Sequence, residues 1–154
     1  MKQIARMLLV LLSLVAGIVY SHSGATGIVK ERMDAMEVMS DKSKSVGAMF
    51  KGKTEFDIDK LADAAEAFAL HGAQMTELFP DTEESRTGSK TEALPRVWED
   101  WEEFSDRAVN FVELSERLKS TVSSTDDVRQ LKKAFYNVAR ECSGCHKRFR
   151  KPRD

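Results

Sequence analysis

TDDVRQLKKAFYNVARECSGCHKRFR, residues 125–150, opens with Thr125 and Asp127, side chains that suit a helix N-terminus. It then spaces its apolar residues by threes and fours. Val128, Leu131, Phe135, Val138, Cys142, Cys145 and Phe149 fall on one stripe, the pattern of a helix that buries one face against other helices. Both cysteines of the chain lie on that seam, so whatever they hold lies inside the helical packing.

Three further stretches upstream carry the same spacing. After Pro95, which suits a helix start, come Val97, Trp101, Phe104, Ala108, Phe111, Ser115, Leu118 and Val122. Before that, Asp57 is a candidate N-cap for a block with Ile58, Leu61, Ala65, Phe68, Gly72, Met75 and Phe79 that stops at Pro80. The first block runs from about Ile28 to Phe50 and ends at Gly52; its stripe is Val29, Arg32/Met33, Met36, Met39, Ser43, Val46 and Phe50, with Arg32 and Ser43 as polar members. Between the second and third blocks, PDTEESRTGSKTEAL (residues 80–94) is polar and aperiodic, and a loop of that length in a compact domain is often functional. The expected fold is all-α, an antiparallel four-helix bundle with a long loop between helices 2 and 3.

Residues 1–23 read as a cleaved signal peptide and not as part of this domain, which spans 24–154. Lys2 and Arg6 precede the apolar run Met7–Tyr20, which falls short of the roughly 20 residues that a spanning helix needs. The mature chain is therefore expected in the periplasm, without stable membrane insertion. Loss of Lys2 and Arg6 takes the formal net charge from −1 to −3. A mildly acidic chain lacks the cationic face that nucleic acid demands.

Two cysteines in an exported chain usually pair. Here they stand within Cys142-Ser143-Gly144-Cys145, where a bridge would close a tiny loop and staple nothing. With His146 they form CxxCH, the spacing of c-type haem attachment. Two thiols three apart on a helix lie on one side and can add to the two vinyl groups of one macrocycle, and the next residue presents an imidazole to the iron. Zinc would need four ligands, and His71 stands alone while His22 falls at the leader boundary. A redox CxxC of the thioredoxin kind would need a preceding strand, which the pattern lacks. The expected cofactor is one covalent haem c per chain, and a haem-free helical module with free thiols is the remaining alternative. No candidate general acid or base stands out, so the expectation is not an enzyme.

The chain resembles the class II cytochromes c, the cytochrome c′ family, in which CxxCH lies near the C-terminus of a four-helix bundle. The resemblance rests on Val29-Lys30-Glu31-Arg32 with Met36 and Gly52, on Thr91-Glu92-Ala93-Leu94-Pro95-Arg96-Val97-Trp98, and on CSGCHKRFR from Cys142 to Arg150. It implies that Arg32 approaches a haem propionate and that Met33, Thr91 and Glu92 line the haem. It also places Met36 at the family's sixth-ligand position, four residues after Arg32. In the low-spin branch that position holds a methionine bound to iron opposite the histidine; in high-spin members an apolar residue leaves the iron five-coordinate.

The expected role is that of a periplasmic shuttle of single electrons between larger redox proteins, with His146 and Met36 as iron ligands. The alternative is a high-spin form that binds nitric oxide or carbon monoxide. Lys147, Arg148, Arg150, Lys151 and Arg153 suit the C-terminal end of a helix dipole and could also form a basic rim for an acidic partner. Family members often dimerise through their first two helices. Ala62, Ala64, Ala65, Ala67 and Ala69 permit such close approach, or equally serve the internal core.

Overall fold

The computed structural model describes residues 24–152, so the expected leader and Arg153 lie outside the described residues. Its helices are α1 (Gly27–Phe50), α2 (Ile58–Ala73), α3 (Glu83–Thr87), α4 (Arg96–Glu99), α5 (Trp101–Ser124) and α6 (Val128–Phe149). The four long ones form the bundle: α1 packs on α2, α2 on α5, and α5 on α6. None of the described helices is long and apolar enough to cross a membrane.

Local chemistry sets the ends of these helices. Asp57 accepts hydrogen bonds from the backbone N–H of Asp59 and Lys60, both at 3.1 Å, and Asp127 accepts from Arg129 at 2.9 Å. Each carboxylate thus satisfies donors that a helix start leaves without partners. At the other end of α1, Gly52 takes φ +70°, a left-handed conformation that glycine adopts without strain. Lys132 reaches across from α6 and donates to the Phe50 carbonyl at 3.2 Å, filling an acceptor left open by the helix end.

The stripes meet as expected along most of their length. Val46, Leu61, Phe68, Leu118, Leu131 and Val138 are buried. Toward the CxxCH end the core becomes aromatic. Phe104 stands edge-on to Phe79 at 4.9 Å and to Phe149 at 5.4 Å, joining α5, the turn after α2, and α6.

Four details differ from the periodicity. The second helix ends at Ala73 and not at Phe79. Residues 74–79 wind through tight turns, with Met75 N–H bonded to Gly72 O at 3.1 Å and Phe79 N–H to Thr76 O at 3.3 Å, which still carry Met75 and Phe79 into the core. The third block is broken at Asp100 (φ −112°, ψ 47°), and the break shifts the helical phase. Trp98 is consequently the buried tryptophan, at 8% exposure, whereas Trp101 is 39% exposed; the Trp98 indole N–H donates to Phe79 O at 3.0 Å. Val128, the first residue of α6, is exposed.

The fourth difference lies in the long loop. It contains α3, capped by the Thr82 hydroxyl, which accepts from Ser85 N–H at 3.2 Å. Beyond α3 the strand-like stretch 92–94 pairs with the end of the chain: Leu94 N–H donates to Phe149 O at 2.9 Å and Lys151 N–H to Glu92 O at 2.8 Å. The loop is therefore a strap, bonded to the segment that follows CxxCH.

Candidate functional site

Where α1, the strap and α6 converge, the bundle opens into a cavity of about 730 Å³. That size suits a cofactor. Its apolar wall includes Met75, Phe79, Val97, Phe104 and Phe149, and its polar rim includes Glu37, Asp41, Lys44, Lys90, Glu92 and Arg150. Of the residues singled out by sequence, Arg32, Met33, Met36, Glu92, Cys145 and His146 all line it. Cys142 and Thr91 do not: Cys142 packs against the core beside the cavity, and Thr91 stands behind the wall, holding Arg32.

The two thiols lie three apart on one face of α6, both half-buried. Burial pushes each up to about 11; for Cys145 nearby Arg107 works in the opposite direction and Glu141 adds to the rise. Thiols so perturbed stay protonated at neutral pH, which suppresses attack on disulfides by free thiolate. Gly144, between them, lies under the Arg107 guanidinium, where a Cβ would come within 3.2 Å of Nη1. Arg107 is fixed there by Glu141 at 3.0 Å and Glu103 at 3.3 Å, so α5 braces the CxxCH turn.

Arg32 is the strongest electrostatic feature. It is 4% exposed; one nitrogen donates to Ser85 Oγ at 3.0 Å, the other to Ser85 O at 2.7 Å and Thr91 Oγ1 at 2.6 Å. Its guanidinium lies 4.7 Å from the Phe79 ring centroid. Among the described residues no carboxylate pairs with it, and burial pulls its pKa down from the ordinary arginine value. A buried cation solvated only by neutral oxygens and a ring is short of an anion. A haem fits this cavity: the apolar wall accepts a macrocycle, and Arg32 offers a cation to one of its carboxylates.

In the basic cluster at the end of the chain Arg148 and Arg150 are half-buried and paired, whereas Lys147 and Lys151 are exposed. Arg148 pairs with Asp100 at 3.1 Å and Glu103 at 2.5 Å, and Arg150 faces Glu92 at 3.6 Å. Lys151 donates to Thr91 O at 2.9 Å. These charges tie the end of α6 to α5 and to the strap. On the zinc alternative, His71 Nδ1 is buried without a partner, and among the described residues no group of three or more His, Cys, Asp or Glu could hold a metal ion.

Comparison with known proteins agrees with this geometry. The family model described as cytochrome c′ matches residues 27–150. The chain belongs to the cytochrome c′ family. It is 31% identical to a cytochrome c′ of Rhodopseudomonas palustris over 140 residues, covering 88% of this chain and 92% of the relative. It is 30% identical to that of Halomonas halodenitrificans, covering 77% and 92%. The solved cytochrome c′ from Rhodopseudomonas palustris superposes with a TM-score of 0.75 at 28% identity, over 84% of this chain and 99% of that one. The four-helix bundle is thus the cytochrome c′ bundle, and the family is one of haem proteins.

Sequence reasoning missed Ser85, Lys90 and Trp98. Ser85 and Lys90 sit in an aperiodic stretch, where no stripe signals burial or orientation. Trp98 lies within the family-like segment, but the heptad phase after Pro95 assigns the core position to Trp101.

Proposed function

We propose that this chain is an exported, periplasmic one-haem cytochrome c, with the haem joined through thioethers to Cys142 and Cys145 and the iron ligated by His146. The observation that carries the reading is the convergence, in one cavity, of Cys145 and His146 from α6 with the anion-deficient Arg32 from α1. When bound, the haem supplies one-electron chemistry at its iron. The protein's part is to exclude water with Phe79, Phe104 and Phe149, to hold a carboxylate at Arg32, and to fix the CxxCH turn through Arg107. No substrate is turned over; the partners are periplasmic redox proteins that donate and accept electrons.

On the far face of the iron, the names of the relatives favour a five-coordinate state over the His/Met state that the position of Met36 suggests by itself. In the favoured reading Met36 is an apolar wall residue, and the vacant face takes nitric oxide or carbon monoxide. The second reading, a low-spin electron shuttle, is supported by the presence of Met36, from α1, in the lining of the cavity that His146 enters from α6. Absorption spectra of the purified protein separate the two. Rapid carbon monoxide uptake and five-coordinate bands support the first, whereas a far-red sulfur-to-iron band with no rapid uptake overturns it in favour of the second.

A further inference from the structure

We propose that Lys90 is a second anion-binding residue of the site, holding the haem carboxylate that Arg32 leaves at the cavity mouth. The inference rests on the haem reading above. A haem presents two carboxylates along one edge, and Arg32 is buried at one end of the strap-lined wall. Lys90 immediately precedes Thr91, the residue that Arg32 grips, so the strap brings both cations to the same side of the cavity.

Two observations separate Lys90 from an ordinary surface lysine. It is the non-glycine residue with positive φ among the described residues, at +69°, a conformation that disfavours any Cβ. Neighbouring Gly88 and Ser89 do not take it, and strain held at one position of a binding wall is a pointer to function. Second, Lys90 lines the cavity and forms no ion pair with a described residue, while the other rim cations are committed: Lys44 to Asp41 at 3.0 Å and Arg150 toward Glu92 at 3.6 Å. Glu37, on α1, is a further carboxylate on the wall. The Lys90 stem passes near Gly24, where a Cβ would come within 3.5 Å of Cε.

The test is a potentiometric titration of the haem-loaded protein against pH, for wild type, Lys90→Gln and Lys90→Arg. A positive charge next to the haem edge disfavours the ferric form, so its removal lowers the midpoint potential. A three- to tenfold shift of the redox equilibrium is expected in Lys90→Gln, about 28 to 59 mV at 59 mV per decade. The carboxylate that loses its partner also becomes easier to protonate, so the pH-dependent limb of the potential moves to higher pH. Lys90→Arg keeps the wild-type profile. If Lys90→Gln retains the wild-type potential and limb, the proposal is overturned while the haem reading stands; a wild-type chain that takes up no haem overturns both.

Discussion

Replacing Arg32 with leucine removes the guanidinium from the cavity wall, and the cost follows from its partners. Three hydrogen bonds to a charged donor are lost, to Ser85 Oγ, Ser85 O and Thr91 Oγ1. At about 1.5–3 kcal/mol each they set an upper bound that other terms reduce. Taking the guanidinium out of the interior relieves a desolvation penalty of several kcal/mol, on the order of the hydrogen bonds themselves. What remains is the cost of leaving both Ser85 oxygens unpaired, since that residue is 0% exposed; at about 1–3 kcal/mol per group, the net loss is about 2–6 kcal/mol. With a urea m-value of about 1.5 kcal/mol/M, the unfolding midpoint of the haem-loaded protein should fall by about 1.3–4 M. Hydrogen exchange should quicken most in residues 82–94, because Arg32 is what ties that strap to α1. Ser85→Ala, which keeps the carbonyl acceptor, should lose only about 1 kcal/mol. An Arg32→Leu midpoint within about 0.3 M of wild type, with strap protection unchanged, would refute the reasoning.

Met36→Leu should leave carbon monoxide uptake and the absorption spectrum of the loaded protein as in wild type, the outcome expected of an apolar wall residue; loss of a far-red band on substitution would instead identify a bound thioether. Gly72→Ala places a Cβ 2.8 Å from the Phe111 ring, and overpacking at the α2–α5 crossing should cost about 1–3 kcal/mol by urea unfolding; an unchanged midpoint would mean the two helices separate freely there. The Asp57 carboxyl is held below its usual range, first by the Lys60 backbone N–H and then by the Lys60 side chain. Its contribution is therefore present above the ordinary carboxylate pKa and is lost as pH falls through the depressed one. Asp57→Ala should lower the Tm at neutral pH by an amount that shrinks in strong acid, and a pH-independent difference would contradict the capping role.

What could be read from the sequence divides along physical lines. Helices whose stripes repeat over several turns were legible, because burial of one face imposes the three-four spacing that side chains then report. The same holds for CxxCH, whose chemistry is local to five residues. Trp98 and Trp101 exchanged places because Asp100 resets the helical phase, and nothing in a periodic count announces a single non-helical residue. The end of α2 at Ala73 was hidden for a related reason: tight turns keep Met75 and Phe79 pointing inward, so the stripe outlasts the helix. The strap was illegible beyond its length. Its fold depends on a buried cation from a distant helix and on backbone bonds to residues 149 and 151, and neither leaves a pattern in residues 80–94. Arg32 itself was visible as a charge in an apolar stripe, but its partners Ser85 and Thr91 emerge only in three dimensions.

Intact mass of the exported, purified chain under denaturing conditions, taken with titration of free thiols, tests the central claim most directly. The account predicts a coloured protein whose mass exceeds that of the mature polypeptide by one haem, with neither Cys142 nor Cys145 reactive. A colourless chain of bare polypeptide mass with two titratable thiols would contradict it.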